Sequence, residues 1–204
     1  MKDKGARLIR LLAHPATRAL LALAFIMLLG LVFNADGAFF KWGTHRDMLR
    51  QVSVYGILAC GMTIVIVSGG IDLSVGSVLG LVAVTFSLMS IHWQWPPWLV
   101  VPLCLAIGAA LGSVSGGLIA RFGMQPFIAT LAMMVFARGL AKHLAGGQKI
   151  SNYVQDDSGG FAYLELPRIF GLLDARLLGG NIATVTVVLL CCLAGSWLLL
   201  ARMR

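Results

Sequence analysis

One long stretch without charge constrains this chain more than any other feature. From Leu73 to Ala120 there are 48 residues without an Asp, Glu, Lys or Arg. A membrane helix needs about 20 apolar residues to cross the hydrocarbon layer, so this stretch is too long for one helix and long enough for two. Residues 92–97 (His-Trp-Gln-Trp-Pro-Pro) divide it, because prolines end helices and tryptophans favour the headgroup layer. We therefore predict membrane helices over residues 73–91 and 98–120.

Four more apolar runs extend the same pattern. The sequence predicts further spans over residues 19–35, 52–68, 126–145 and 180–201, the third of these interrupted by Arg138 and Lys142. Only 12% of the residues are charged, against about 25% in a soluble domain. These patterns predict an all-α polytopic membrane protein with about six transmembrane helices in one domain, residues 1–204, surrounded by lipid.

The basic residues indicate an orientation. The net charge of +8 raises the possibility of nucleic-acid binding, but five basic residues precede the first apolar run: Lys2, Lys4, Arg7, Arg10 and Arg18. Such a cluster is typical of the cytoplasmic flank of a membrane helix, so no nucleic acid is predicted. We expect a cytoplasmic N-terminus (residues 1–18), an uncleaved first helix, a periplasmic loop over residues 146–179, and a bacterial inner-membrane location. Because the chain ends directly after an apolar run, we also expect it to be truncated.

The second and third predicted spans are joined by the sequence Gly-Gly-Ile-Asp-Leu-Ser, residues 69–74. Gly69 and Gly70 permit the backbone angles that end a helix, and Asp72 or Ser74 can cap the next one. Irregular backbone at membrane depth is tolerated only against protein or a water-filled cavity, and broken helices often line substrate paths. The residues alone leave two interpretations open, a plain cytoplasmic turn and an element of a transport path.

Two motifs resemble a known family. Residues 61–77 read Gly-Met-Thr-Ile-Val-Ile-Val-Ser-Gly-Gly-Ile-Asp-Leu-Ser-Val-Gly-Ser, and residues 116–131 read Gly-Gly-Leu-Ile-Ala-Arg-Phe-Gly-Met-Gln-Pro-Phe-Ile-Ala-Thr-Leu. Both resemble signatures of the sugar ABC-transporter permeases of the ribose, xylose and galactofuranose group. The element Arg138-Gly139-Leu140-Ala141 is also similar to that family. The resemblance covers residues 52–147.

The resemblance implies a transport subunit. It implies an importer in which two permease subunits, identical or paralogous, form a central path for a monosaccharide, two cytoplasmic ATPase subunits supply energy, and a periplasmic binding protein delivers the sugar. This chain has no phosphate-binding Gly-rich loop with Lys-Ser/Thr, so we expect no cofactor in it and expect a partner subunit to bind ATP.

Polar groups at the break and on the fifth span are the candidate path residues: Gly69, Gly70, Asp72, Ser74, Gln125, Thr130 and Arg138. Gln125 and Thr130 can hydrogen-bond a sugar hydroxyl, although helix capping and helix-to-helix bonding compete for both. Arg138 lies in an apolar helix, where a guanidinium is costly unless it snorkels, pairs inside the bundle or faces the path.

Glycines recur every four residues on the third and fourth spans: Gly76, Gly80, Gly108, Gly112 and Gly116. Small residues at this spacing allow another helix to approach closely. We predict a helix-packing role for them, within one subunit in preference to a dimer seam.

Two other function classes compete with the importer. An ion-coupled secondary transporter or channel could use Asp72 to bind a cation or proton. A membrane enzyme is the third class, and the sequence disfavours it because no acid/base or metal-ligand constellation is present. The cysteines lie in apolar stretches without metal or redox spacing, so we predict neither a metal site nor a catalytic one.

Overall fold

The structure is a computed structural model that describes residues 14–155, 160–177 and 180–202. Most described residues are helical. The longer helices are α1 (Pro15–Val32), α2 (Trp42–Val67), α3 (Val75–Ser87), α4 (Pro97–Phe122), α5 (Pro126–Leu144) and α7 (Thr184–Arg202). Between α1 and α2 lies a short 3-10 helix, Ala35–Phe40, and α3 continues into a π-helical turn, Leu88–His92.

This architecture confirms the all-α polytopic membrane fold. Among the described residues, five helices are long and apolar enough to cross a membrane: α2, α3 with its π turn, α4, α5 and α7. Helix α1 is apolar but shorter, so the count of six spans stays a prediction. The spans predicted within residues 73–145 agree with α3 plus its π turn, α4 and α5 to within two residues, whereas α2 begins at Trp42 rather than residue 52.

Contacts divide the described chain into two units, before and after Ser53 within α2. In the first unit, the Phe39 ring lies where a side chain on Gly30 would be, so only glycine allows this approach of the 3-10 helix to α1. In the second unit, α3 packs against α4 and α5. A buried cluster of Met89, Val100 and Cys104 joins α4 to the π turn that follows α3.

Helices α2 and α7 are joined by one buried polar contact. Ser53 Oγ and Thr186 Oγ1 are 3.0 Å apart and share a hydrogen bond. The Leu189 side chain lies where a side chain on Gly56 would be, at 2.8 Å from the position of its Cβ. The absence of a side chain at Gly56 therefore leaves room for the Leu189 side chain between the two helices.

The segment predicted as a polar loop, residues 146–179, contains regular structure. Strands β1 (Tyr153–Gln155) and β2 (Phe161–Tyr163) form an antiparallel pair, and a short helix α6 (Arg168–Asp174) follows. Strand β3 (Arg176–Leu177) pairs with β4 (Ile182–Ala183), and this pairing delays the start of α7 to Thr184. The first thirteen residues lie outside the described residues, and so do Asp156 and Asp157. The cytoplasmic position of the basic N-terminus and the periplasmic position of residues 146–179 therefore stay predictions.

Candidate functional site

The chain between α2 and α3 forms a tight reversal, which we call the broken-helix turn (residues 68–74). Gly69 has φ +79°, a left-handed conformation that favours glycine. The Gly69 N–H donates to Ile66 O at 3.0 Å, and the Gly70 N–H donates to Val65 O at 2.9 Å. This pair of bonds is the Schellman ending of a helix, and it satisfies carbonyls that would otherwise lack partners. The two glycines thus end α2 as the sequence predicted.

Asp72 stabilises the second half of this turn. Its Oδ1 atom accepts two hydrogen bonds from Ser74, one from the backbone N–H at 2.7 Å and one from the hydroxyl at 2.6 Å. Ser74 is only 3% exposed and is the N-cap residue of α3, but its side chain makes no capping bond. The carboxylate therefore fixes the residue that starts α3, and its negative charge lies at the favourable end of that helix dipole.

Thr130 connects the broken-helix turn to α5. Thr130 is 2% exposed, and its one hydroxyl hydrogen is shared between Pro126 O at 2.8 Å and Ile71 O at 3.3 Å. The first bond is local to α5, whereas the second reaches a residue 59 positions earlier. The sequence proposed Thr130 as a residue for sugar binding or for helix bonding, and in this structure its hydroxyl bonds to backbone.

A cavity of about 270 Å³, which we call the turn cavity, opens beside the broken-helix turn. The turn and the first turn of α5 form one side of it, and the second half of α4 forms the other. Its lining includes Ser68, Gly69, Gly70, Ile71, Asp72, Gly112, Ser115, Gly116, Pro126 and Thr130. A chamber of this size is close to the lower end, about 300 Å³, of the range for small-molecule pockets.

A second cavity of about 410 Å³ adjoins the same carboxylate, and we call it the apolar cavity. It shares Asp72 and Gly112 with the turn cavity, and Ser74 also reaches it. The rest of its lining is hydrocarbon or small: Leu58, Val75, Val78, Leu79, Val82, Cys104, Leu105, Gly108 and Ala109. Asp72 therefore lies at the boundary between a polar chamber and an apolar one.

Comparison with known proteins identifies the family. Residues 45–204 match the family described as the branched-chain amino acid transport system permease component. The chain belongs to this permease family. The match covers well over half of the chain, and it confirms the resemblance found in the two sequence motifs.

Several characterised permeases are similar to this one. A ribose import permease from Haemophilus influenzae is 40% identical over 151 residues, 74% of this chain and 46% of the relative. A fructose import permease from Bifidobacterium longum is 35% identical over 147 residues, 68% of this chain and 41% of the relative. A xylose transport permease from Escherichia coli strain K12 is 34% identical over 132 residues, 65% of this chain and 34% of the relative. The chain therefore spans less than half the length of each relative. No solved structure matches it.

The permease brings together five of its seven predicted path residues. Gly69, Gly70, Asp72 and Thr130 line the turn cavity, and Ser74 lines the apolar cavity. Gln125 precedes α5 without a side-chain capping bond and lines neither cavity, and Arg138 is exposed on α5 away from both. A role in the substrate path stays a prediction for all seven.

Sequence reasoning missed Ser115 on α4. This residue lines the turn cavity and is only 5% exposed, and its hydroxyl has no hydrogen-bond partner among the described residues. A buried polar group without a partner costs about 1–3 kcal/mol, so such groups call for an explanation. The sequence shows two serines, Ser113 and Ser115, between the glycines at positions 112 and 116, but only the structure shows that Ser115 is the one that lines the turn cavity.

The five predicted packing glycines differ in their surroundings. A Cβ on Gly108 would lie 3.9 Å from Val82 Cγ2 on α3, an ordinary contact. A Cβ on Gly76, Gly80, Gly112 or Gly116 would meet no atom within 4 Å in the described chain, apart from the backbone of its own helix. No described neighbour therefore requires glycine at any of the five positions, and their packing role stays a prediction. For Gly112 and Gly116, the open space is part of the turn cavity.

Proposed function

We propose that this chain is a transmembrane subunit of an ATP-binding-cassette importer and that it forms part of the path for a monosaccharide across the bacterial inner membrane. The family match over residues 45–204 carries this proposal. The three relatives described above are named as ribose, fructose and xylose permeases, which supports a small sugar as the solute. Each relative's name states the substrate of that relative alone, so the sugar that this chain transports has to be identified by measuring uptake.

The site agrees with a neutral solute. Asp72 is the one ionisable side chain among the described residues that line the turn cavity, and its Oδ1 atom is occupied by Ser74. The rest of the lining offers backbone groups and hydroxyls, which bond a sugar without requiring charge. The five path residues at the cavities are proposed to shape this path, with Asp72 holding the turn rather than carrying a proton.

An ion-coupled transporter or channel was the alternative in which Asp72 binds a cation. The relatives favour the importer over this alternative. The described residues also contain no group of three or more His, Cys, Asp or Glu side chains that could hold a metal ion. Because the relatives are permeases, we propose transport rather than catalysis.

The proposal implies partners and an orientation. Two ATPase subunits would bind ATP on the cytoplasmic side, a second permease subunit would complete the path, and a periplasmic binding protein would deliver the sugar. With the basic N-terminus in the cytoplasm, the broken-helix turn would face the ATPase side, and the segment with β1 and β2 would face the binding protein.

Uptake into proteoliposomes tests this proposal. The permease is reconstituted with the ATPase subunits and binding protein of its own organism, and uptake of radiolabelled ribose, xylose and fructose is measured. We expect uptake of at least one sugar that requires ATP hydrolysis and both partner proteins. Sugar uptake driven by a proton or sodium gradient in vesicles without the ATPase would contradict the proposal and favour the ion-coupled alternative.

A further inference from the structure

On the wall of the turn cavity formed by α4, one buried hydroxyl makes no hydrogen bond to the described residues. Ser115 is 5% exposed, lines this cavity, and its Oγ atom has no hydrogen-bond partner in the part of the chain that the structure describes. Thr130, the other hydroxyl residue that is buried at this cavity, bonds to Pro126 O and Ile71 O. Buried hydroxyls almost always make a hydrogen bond, so the unpaired hydroxyl of Ser115 points to a hydrogen-bond partner outside the described chain.

The residues beside Ser115 leave room for such a partner. Gly112 lies three residues before it on the same side of α4, and Gly116 directly follows it. Both line the turn cavity, and a Cβ at either position would meet no described atom within 4 Å other than its own helix backbone. The helix thus presents a hydroxyl flanked by two positions without side chains, which is an opening that a small polar molecule can enter.

We propose that Ser115 is a substrate-binding residue that hydrogen-bonds a hydroxyl group of the transported monosaccharide within the turn cavity. This rests on the proposed transport function. A hydroxyl can donate and accept, so it matches any sugar hydroxyl that presents either role. One such bond gives modest affinity, which suits a path that has to release its solute.

Cysteine accessibility tests the proposal directly. The four native cysteines, Cys60, Cys104, Cys191 and Cys192, are first replaced by alanine, and Ser115→Cys is then introduced. A membrane-impermeant maleimide is applied to inside-out membrane vesicles that contain the assembled transporter, with and without the transported sugar. We expect the sugar to slow labelling of Ser115→Cys at least fivefold. The matched control is Ser113→Cys, which is exposed on the same helix and lines neither cavity, so sugar should leave its labelling rate unchanged.

Transport kinetics supply a second readout. We expect Ser115→Ala to raise the KM for the sugar about fivefold, because one ordinary hydrogen bond to the sugar is lost. The maximal rate per transporter should stay unchanged. Ser115→Thr keeps the hydroxyl and should restore a KM near that of the native chain. A merely structural role would lower membrane abundance and maximal rate instead of shifting KM.

The outcomes separate this inference from the function on which it rests. If the native complex takes up no sugar, the proposed function fails. If it transports a sugar but that sugar does not slow labelling of Ser115→Cys, or the cysteine cannot be labelled at all, the Ser115 proposal is overturned while the transport function stands. An unchanged KM for Ser115→Ala would overturn it equally.

Discussion

Two turns interrupt the apolar sequence on either side of α3, and they are built in different ways. The broken-helix turn is held by half-buried polar contacts, from Asp72 to Ser74 and from Thr130 to Ile71, in which Ser74 and Thr130 are buried. The other, residues 93–96, we call the Trp-Pro turn. Its Trp93 and Trp95 rings lie 5.3 Å apart, and the Trp93 side chain is 56% exposed.

The Trp-Pro turn is held by hydrogen bonds to the π turn before it and to the segment that follows α5. Gln94 has φ +53°, and its side-chain amide donates to Ile91 O at 2.7 Å and to Glu165 O at 3.2 Å. The His92 ring lies 3.2 Å from Ser151 O. The bonds to Glu165 O and Ser151 O are exposed, so water can replace them if they are lost, whereas the bond to Ile91 O is half-buried. Aromatic rings at this position suit the headgroup layer, whereas the contacts of the broken-helix turn involve two buried polar residues, Ser74 and Thr130.

The difference teaches that a helix break in an apolar sequence does not by itself indicate a transport path. Both turns end a helix, yet only the broken-helix turn adjoins the two cavities that share Asp72. If this contrast is correct, substitutions in the broken-helix turn should cost far more than those in the Trp-Pro turn.

The largest effect is expected from Asp72→Ala. It removes the acceptor of both Ser74 bonds, and leaving that buried amide and hydroxyl unpaired should cost about 2–4 kcal/mol. We expect membrane insertion to persist while assembly and transport are strongly reduced, measured as membrane abundance, thermal stability in detergent, and uptake. Asp72→Asn, which keeps an oxygen acceptor, is the control and should lose less. Normal uptake by Asp72→Ala at equal abundance would remove Asp72 from the account.

A smaller loss is expected from Gly69→Val. A β-branched residue at φ +79° should cost about 1–2 kcal/mol through clashes of its side chain with the backbone. The measurement is the melting temperature of the purified protein in detergent. Gly117→Val is the matched control, because Gly117 lies within α4 with open space at its Cβ. Equal melting temperatures for the two variants would show that the left-handed turn is not maintained.

Thr130→Val tests the connection between α5 and the broken-helix turn. The substitution keeps the side-chain volume and removes the hydroxyl, so Pro126 O and Ile71 O lose a donor and stability should fall by about 1 kcal/mol. Thr130→Ser retains the hydroxyl and should stay close to the native chain. Protease resistance of the segment around residue 71 provides the readout, and faster cleavage in Thr130→Ser than in Thr130→Val would contradict the role of the hydroxyl.

The smallest effect is expected in the Trp-Pro turn. Gln94→Ala removes one half-buried and one exposed hydrogen bond and should lower stability by about 0.5 kcal/mol. Gln94→Gly also relieves the positive φ, so it should be at least as stable as Gln94→Ala. Melting temperatures again provide the measurement. A loss as large as that of Asp72→Ala would show that the two turns do not differ as described.

Much of the fold could be predicted from the sequence because lipid imposes simple requirements. Uncharged length, the two tryptophans with the two prolines, and the Gly-Gly pair placed the limits of α3 and α4. The start of α2 at Trp42, ten residues before the predicted residue 52, was missed because the first turns of this helix carry charged residues, including Arg46 and Asp47. Strand β4 was missed because two residues give no readable alternation.

The site could be predicted only in part. Local chemistry identified Gly69 and Asp72, whose roles depend on neighbours in the sequence. The bond from Thr130 to Ile71 and the meeting of Ser115 with the turn depend on how α4 and α5 pack against α3, which no local pattern encodes. For the same reason, the exposed position of Arg138 away from both cavities could not be read from the sequence.

The most direct test of the account is whether the two turns lie on opposite sides of a membrane. In a background without native cysteines, Ser68→Cys marks the broken-helix turn and Gln94→Cys marks the Trp-Pro turn, since both positions are exposed in the described chain. A membrane-impermeant maleimide is applied to inside-out and right-side-out vesicles. The account predicts that Ser68→Cys is labelled only in inside-out vesicles and Gln94→Cys only in right-side-out vesicles. Labelling of both cysteines from the same side would contradict it, because α3 would then not cross the bilayer.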